Sequence, residues 1–315
     1  MSAAIKIRVG NAPCSWGSLE FDGCKGESIG YARMLDELVE AGYVGTELGD
    51  WGYMPTDPAA LHGEMERRRL TMLGAFVPVA LKDPAAHAPG EARVLQVARL
   101  LAAVHARAGG DTAPFLVLAD ENGTVPARTT HAGRVTVGLG LTDAEWGVYA
   151  QGANRVAAAV RKETGLRTVF HHHCAGYVET PEEIATLLQR TDPSLLGLVF
   201  DTGHLTFGSG RNDAGLAREC LDRFADRIWY MHFKDCHPAV AARSRSEGWD
   251  YFRSVREGVF CELGKGCVDF RGVLDWLKQR EYRGWVLVEQ DVLPGLGTPK
   301  ESARRNRDYL RTLGI

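Results

Sequence analysis

The sequence has little net charge, few cysteines and no long apolar run, and each shortage excludes a class of protein. Its 37 basic residues are balanced by 40 acidic ones, so composition shows no electrostatic footprint for nucleic acid or an anionic membrane. No stretch approaches the roughly 18 consecutive apolar residues that a membrane helix needs, and residues 1–8 lack the apolar core of a signal peptide. We therefore predict a small-molecule substrate, with no nucleic-acid or membrane partner.

The cysteines are odd in number, and their spacing matches no known disulfide or metal-binding motif. There are seven in 315 residues, and none of them forms the CxxC pattern of zinc knuckles and redox motifs. This usage is typical of reduced thiols in a cytoplasmic protein, not of a disulfide framework, and we predict that location. The positions are Cys14, Cys24, Cys174, Cys220, Cys236, Cys261 and Cys267.

The chain also lacks an internal repeat, a low-complexity segment and a Pro/Gly/Ser-rich linker, so we predict one domain over residues 1–315. Eight short apolar runs alternate with amphipathic segments. The runs are Ile5–Ala12, Val44–Leu48, Met72–Val79, Phe115–Ala119, Thr168–His173, Leu196–Asp201, Ile228–Phe233 and Val286–Glu289. The amphipathic segments are Gly30–Ala41, Ala59–Arg69, Glu91–Ala108, Asp143–Thr164, Pro181–Arg190, Ala214–Ala225, Phe270–Lys278 and Lys300–Leu313.

This alternation predicts an α/β fold. Strands that are apolar on both faces and are separated by helices form a parallel sheet covered by helices, and eight such units close into a (β/α)8 TIM barrel. Thr142 and Thr180 stand where helix N-caps are expected, with Pro181 at a first helical position.

Two long irregular stretches, Asp120–Leu141 and Cys236–Gly266, directly follow predicted strands. In a barrel they would lie on the C-terminal face, where active sites form and where long loops act as lids or substrate walls. Arg128 and Arg134 lie in the first stretch, and we expect both to be exposed to solvent.

Imidazole and carboxylate groups recur at the ends of four apolar runs. Taken singly, each has an ordinary explanation, since a histidine is usually a satisfied core or surface group, Asp201 can cap the following turn and Glu289 can pair with Arg283. Four strand ends on one face of one barrel instead favour a divalent-metal site. The groups are the triplet His171-His172-His173, Asp201 followed by His204, His232, and Glu289.

Side chains alternate across a strand, so the three histidines of the triplet cannot all face the site. His171 and His173 are expected on one face, and His172 on the other, toward the helix layer.

Several motifs resemble those of the xylose-isomerase-like barrels and, among these, the inosose (2-keto-myo-inositol) dehydratases. The resemblance covers almost the whole chain, and the histidine triplet and Ser15-Trp16-Gly17 narrow it to that group. The matching segments are Asn11–Gly17, Gly45–Gly49, His171–His173, Phe200–His204, Met231–Asp235, Leu263–Phe270, Tyr282–Trp285 and Glu289–Asp291.

The resemblance implies that Asp201, His232 and Glu289 hold a divalent ion. Members of the superfamily usually add a glutamate at the end of the fifth strand, but this chain has imidazoles there. Either His171 supplies the fourth ligand or Glu179 folds back from the loop, and we favour His171 because a group at a strand end is better positioned. Oxygen and imidazole ligands suit Mn²⁺ or Co²⁺.

Related isomerases and epimerases use two opposed glutamates to move a proton between carbons, and this chain lacks one of the pair. The resemblance therefore favours a different reaction, the dehydration of a cyclic polyol ketone. Dehydration needs a base at the α carbon and an acid at the leaving hydroxyl. His173 and His204 are the expected acid/base groups, and Lys234 the group that stabilises the enolate. Other expected substrate contacts are Trp16 and Trp51, by stacking on the ring, and Glu47 and Glu179.

Three other functions remain open at this point. A sugar isomerase or epimerase on the same scaffold would give a product of unchanged mass. A metal-dependent DNA repair endonuclease would need a basic surface and more ligands, and the net charge of −3 argues against it. A non-enzymatic binding barrel would hold metal without turnover. Association into homo-oligomers is also open.

Overall fold

A computed structural model describes residues 7–17, 29–211, 213–291 and 297–315. Eight parallel strands close into a barrel, which confirms the predicted fold class. In chain order the strands are Arg8–Asn11 (β1), Gly45–Glu47 (β2), Thr71–Pro78 (β3), Phe115–Ala119 (β4), Arg167–His171 (β5), Leu196–Asp201 (β6), Ile228–Phe233 (β7), Asp235–Cys236 (β8), Phe260–Cys261 (β9) and Trp285–Val288 (β10). The barrel order is β1-β10-β7-β6-β5-β4-β3-β2, and β8 pairs with β9 as a separate antiparallel ribbon.

Helices cover the barrel, and their bounds agree with most of the predicted segments. They are Tyr31–Ala41 (α1), Pro58–Arg68 (α2), Pro84–Ala108 (α3), Pro126–Thr130 (α4), Asp143–Thr164 (α5), Pro181–Arg190 (α6), Thr202–Gly208 (α7), Leu216–Phe224 (α8), Pro238–Glu247 (α9), Tyr251–Arg256 (α10), Phe270–Gln279 (α11) and Pro299–Thr312 (α12). Thr142 and Thr180 are helix N-caps, as predicted, and they also form capping boxes with Glu145 and Glu183. No helix in the described ranges is long and apolar enough to cross a membrane.

Some boundaries differ from the prediction. The start of the first predicted strand at Ile5 lies outside the described residues, and so does Cys24, while the other six cysteines are free. Helix α3 begins at Pro84, before the predicted Glu91, because the Asp83 carboxylate accepts a hydrogen bond from the amide of Ala85 and caps it.

The two stretches predicted to be irregular contain secondary structure. The first contains α4, and the second contains α9 and α10 together with the β8–β9 ribbon. Helix α9 was not predicted because its sequence has no apolar stripe of helical period. Its only buried residues are Ala241 and Ser244.

Arg128 contradicts the expectation of solvent exposure. Its side chain is fully buried, and its guanidinium makes two parallel bonds of 2.7 and 2.8 Å to the carboxylate of Glu183. Its Nε donates to the carbonyl of Gly176, at 2.7 Å. Arg134 is also engaged, because it donates to the carbonyls of Ser244 and Trp249. The Arg128 bonds tie the segment after β4 to the loop after β5 and to α6, and the Arg134 bonds tie it to α9 and the residues that follow.

Replacing Arg128 by methionine should lower the free energy of unfolding by about 3 kcal/mol, because Glu183 would keep a partly buried charge without its partner. The urea midpoint of the variant measures this. Arg155→Met is the matched control, since Arg155 pairs with Glu91 on the surface, where loss of an ion pair costs about 1 kcal/mol or less. If the two substitutions lowered the free energy of unfolding equally, the Arg128–Glu183 pair would not be buried as described.

Candidate metal centre and pocket

The C-terminal ends of four barrel strands bring His171, Asp201, His232 and Glu289 together. The first three belong to β5, β6 and β7, and Glu289 directly follows β10, where its amide donates to the carbonyl of Phe233. One ligand atom from each of the four lies within 4.8 Å of the others. The structure therefore gathers in one place the four residues that the sequence pattern put forward as ligands.

Individual distances within this cluster are short. His171 Nε2 lies 3.2 Å from His232 Nδ1 and 3.8 Å from Asp201 Oδ2. His232 Nδ1 lies 3.0 Å from Glu289 Oε1. Glu289 thus pairs with His232 inside the cluster. The alternative that the sequence left open, an ion pair with Arg283, is not formed.

Asp201 uses its two oxygens differently. Oδ1 accepts a hydrogen bond of 2.7 Å from the amide of His204 and so caps α7. Oδ2 is buried and has no hydrogen-bond partner among the residues that the structure describes. A buried carboxylate oxygen without a donor is costly, and a divalent cation would satisfy it. The donor set of two imidazoles and two carboxylates therefore fits a divalent metal ion.

Glu47, at the end of β2, holds the far side of His232. Its Oε1 accepts from His232 Nε2 at 3.1 Å. Burial lowers the pKa of His232, but Glu289 and Glu47 outweigh that effect and raise it to about 10. With Nε2 bound to Glu47, Nδ1 faces the cluster, the arrangement that orients a metal-binding histidine. The sequence pattern missed this contact, because the two residues are 185 positions apart.

His173 lies on the wall of a pocket beside the cluster. Its Nδ1 donates a 2.7 Å bond to the carbonyl of Cys174, which leaves the lone pair on Nε2. Burial, with a contribution from the nearby Lys234 charge, lowers the pKa of His173 to about 4. The ring is therefore neutral at neutral pH.

The other two histidines of these motifs do not line the pocket. His172 accepts from the amide of Asp201, at 3.2 Å, on the opposite face of β5, as strand alternation predicted. His204 lies behind His173, with ring centroids 3.8 Å apart, and its Nε2 is 3.4 Å from Lys234 Nζ. His204 thus lies close to the site, with its ring centroid 5.7 Å from that of His171, but it does not form the pocket wall, and its expected acid/base role stays a prediction.

Lys234 carries the one ammonium among the described residues that line the pocket. Its Nζ lies 3.3 Å from Asp291 Oδ2 and 3.5 Å from Glu289 Oε2. Burial lowers its pKa, but Asp291 and Glu289 overcome this and hold the pKa well above its usual value. Lys234 is therefore a charged donor beside the metal-ligand cluster.

Acidic groups otherwise dominate the pocket. Its carboxylates come from Glu47, Asp50, Glu289 and Asp291. Phe76 and Tyr251 contribute aromatic walls, and Tyr251 belongs to α10, within the stretch predicted to form a substrate wall. Such a pocket can accept hydrogen bonds from several hydroxyl groups.

The pocket lining does not include Trp16 or Glu179, although both were expected substrate contacts. Trp16 is buried, and its Nε1 donates to Glu37 Oε2 at 2.9 Å, so the ring packs behind the pocket wall. Trp51 does not line the pocket either. Glu179 is fully buried and accepts from the amides of Gly133 and Ala175, at 2.7 and 2.8 Å. It lies outside the cluster of four candidate ligands, which contains His171 instead.

Comparisons with known proteins agree with this architecture. The family described as xylose isomerase-like TIM barrel matches residues 35–313. An inosose dehydratase of Geobacillus kaustophilus is 30% identical over 307 residues, covering 98% of this chain and 94% of the relative. One from Bacillus licheniformis is 31% identical over 287 residues, covering 88% and 86%. A solved D-allulose 3-epimerase from Methylomonas sp. shares the fold at a TM-score of 0.67 and 16% identity, covering 99% of this chain and all, 100%, of the other.

Proposed function

The chain belongs to the inosose dehydratase family of xylose isomerase-like TIM barrels, and from that membership we propose that it removes water from a cyclic polyol ketone such as 2-keto-myo-inositol. The observation that carries the proposal is His173, an imidazole on the pocket wall next to the four candidate ligands, whose Nδ1 donates to the carbonyl of Cys174 so that Nε2 keeps its lone pair. A dehydration needs a base of this kind beside a group that activates a ketone.

The metal part of the proposal assigns His171, Asp201, His232 and Glu289 as ligands of a divalent ion, Mn²⁺ or Co²⁺. When bound there, the ion would polarise the ketone of the substrate and make its α proton more acidic. The orphaned Oδ2 of Asp201 and the placement of Glu47 behind His232 support this assignment.

The chain's own residues would carry out the proton transfers. His173 Nε2 removes the proton from the carbon next to the ketone, and the electron pair of that C–H bond forms an enolate. Lys234 stabilises the negative charge that develops on the oxygen. The C–O bond at the β carbon then breaks, and His173 returns its proton to the departing hydroxyl, which leaves as water. We assign both steps to this one imidazole, since His173 lines the pocket and His204 does not.

The pocket lining supports a polyol substrate. The hydroxyls of a polyol ring can donate to the carboxylate oxygens of Glu47, Asp50 and Asp291, which are not assigned as metal ligands.

Mass spectrometry tests the proposal directly. Metal-stripped protein that is resupplied with Mn²⁺ and incubated with 2-keto-myo-inositol should release a product lighter by one water, and the reaction should stop when Mn²⁺ is withheld. A metal-dependent product of unchanged mass would overturn the dehydratase assignment in favour of an isomerase or epimerase. Bound metal without turnover of any ketone would favour a binding barrel.

A further inference from the structure

The loop after β5 determines where His173 lies, and its backbone has an unusual conformation. The amide of His173 donates to the carbonyl of Val178 at 3.1 Å, which closes residues 173–178 into a turn. Within this turn Ala175 has φ of 67°, the left-handed region that a residue with a Cβ rarely adopts. Because such a conformation is unfavourable for alanine, surrounding contacts must hold it.

Glu179 supplies two of these contacts through one carboxylate. Oε2 accepts from the amide of Ala175 at 2.8 Å, and Oε1 accepts from the amide of Gly133 at 2.7 Å, in the segment that follows β4. The side chain therefore joins the turn that carries His173 to a second loop of the same face.

Close packing fixes the Glu179 side chain itself. A Cβ at Gly208, at the end of α7, would lie 2.7 Å from Glu179 Cγ, so only glycine leaves room there. Gly133 has φ of +73°, and a Cβ on it would come within 2.9 Å of Phe207. Glu179 thus occupies a slot built to its shape between two loops and α7.

Burying a carboxylate costs free energy, so a role in filling space alone does not explain Glu179. Burial raises the pKa of Glu179 to about 7, although the bonds from Gly133 and Ala175 and the Arg128 charge oppose that effect. Glu179 contacts neither the metal-ligand cluster nor the pocket. A carboxylate has two oxygens that can accept from two amides at once. An amide side chain has only one such oxygen, and an apolar side chain has none.

We propose that Glu179 is a positioning residue that holds the 173–178 turn against the segment after β4 and thereby places the His173 imidazole in the pocket. This inference rests on the proposed role of His173. A glutamine at position 179 keeps the shape but turns an NH2 group toward one of the two amides. One hydrogen bond is then lost, and the turn loses its fixed geometry. Misplacement of a catalytic group by about 1 Å can lower a rate by about 100-fold.

The test compares Glu179→Gln with Glu182→Gln, a matched control on the exposed first turn of α6. We expect E179Q to lower kcat on 2-keto-myo-inositol by about 10- to 100-fold, with KM and the Mn²⁺ dissociation constant changed by less than about threefold. E182Q should match the wild type. Unchanged kcat in E179Q would overturn the proposal, and so would loss of Mn²⁺ affinity in parallel with kcat, because Glu179 would then support the metal-ligand cluster.

A second readout does not depend on turnover. In ¹⁵N spectra of the metal-free protein, the imidazole signals of His173 should shift in E179Q but not in E182Q, and the amides of Ala175 and Gly133 should exchange faster with solvent. Unshifted His173 signals would refute the positioning role even if the substrate is not 2-keto-myo-inositol. An inactive wild type that still shows these shifts would instead refute the proposed function and leave the positioning intact.

Discussion

Asp201→Asn should abolish tight Mn²⁺ binding and lower turnover by about 1,000-fold or more while leaving the barrel folded. The asparagine carbonyl oxygen can still accept from the amide of His204 and cap α7, as Asp201 Oδ1 does. The NH2 group that replaces Oδ2 cannot bind a cation. The substitution therefore separates the two roles that the structure gives to one carboxylate, the helix cap and the candidate metal ligand.

Thermal unfolding provides the measurement for Asp201→Asn. Mn²⁺ at 100 times its dissociation constant should stabilise the wild type by about 2.7 kcal/mol and should not stabilise the variant. Without metal, D201N should be at least as stable as the wild type, because burial disfavours the charge of the carboxylate, raising the pKa of Asp201 to about 7, and asparagine carries no charge. Asp269→Asn is the control, since Asp269 caps α11 in the outer layer through the amide of Gly272. Full Mn²⁺-dependent stabilisation in D201N would contradict the ligand assignment.

The barrel and the meeting of its four candidate ligands could be predicted from local patterns. The apolar runs Phe115–Ala119, Leu196–Asp201 and Ile228–Phe233 are strands with the same bounds. In a parallel barrel all strand C-termini meet at one rim, so a ligand-type residue at the end of several strands must come near the others. Alternation along β5 then separates His171 from His172.

Other features depended on contacts that no local pattern carries. His204 lies behind His173 because α7 starts directly at Thr202, and a residue in its first turn faces back toward Lys234. Trp16 turns inward because Pro13–Trp16 forms a short 3-10 helix and Glu37 accepts its ring NH. The burial of Arg128 follows from its partner Glu183, 55 positions away.

His173→Gln should lower kcat by about 1,000-fold, within the range of roughly 10²- to 10⁴-fold that general acid–base groups contribute. The four candidate metal ligands are untouched, so Mn²⁺ content and the Mn²⁺-dependent shift in melting temperature should equal those of the wild type. His204→Gln is the informative comparison. Since His204 reaches the pocket only through His173 and Lys234, its loss should reduce kcat by about tenfold, well below the loss in H173Q.

Exchange of the substrate's α proton with deuterated solvent separates the two steps assigned to His173. If one imidazole removes the proton and then returns it to the leaving hydroxyl, H173Q must lose α-proton exchange and water release together. Persistent exchange with slow water release would identify another group as the base and restrict His173 to the acid step. A larger loss in H204Q than in H173Q would reverse the assignment, because His204 would then be the group that acts on the substrate.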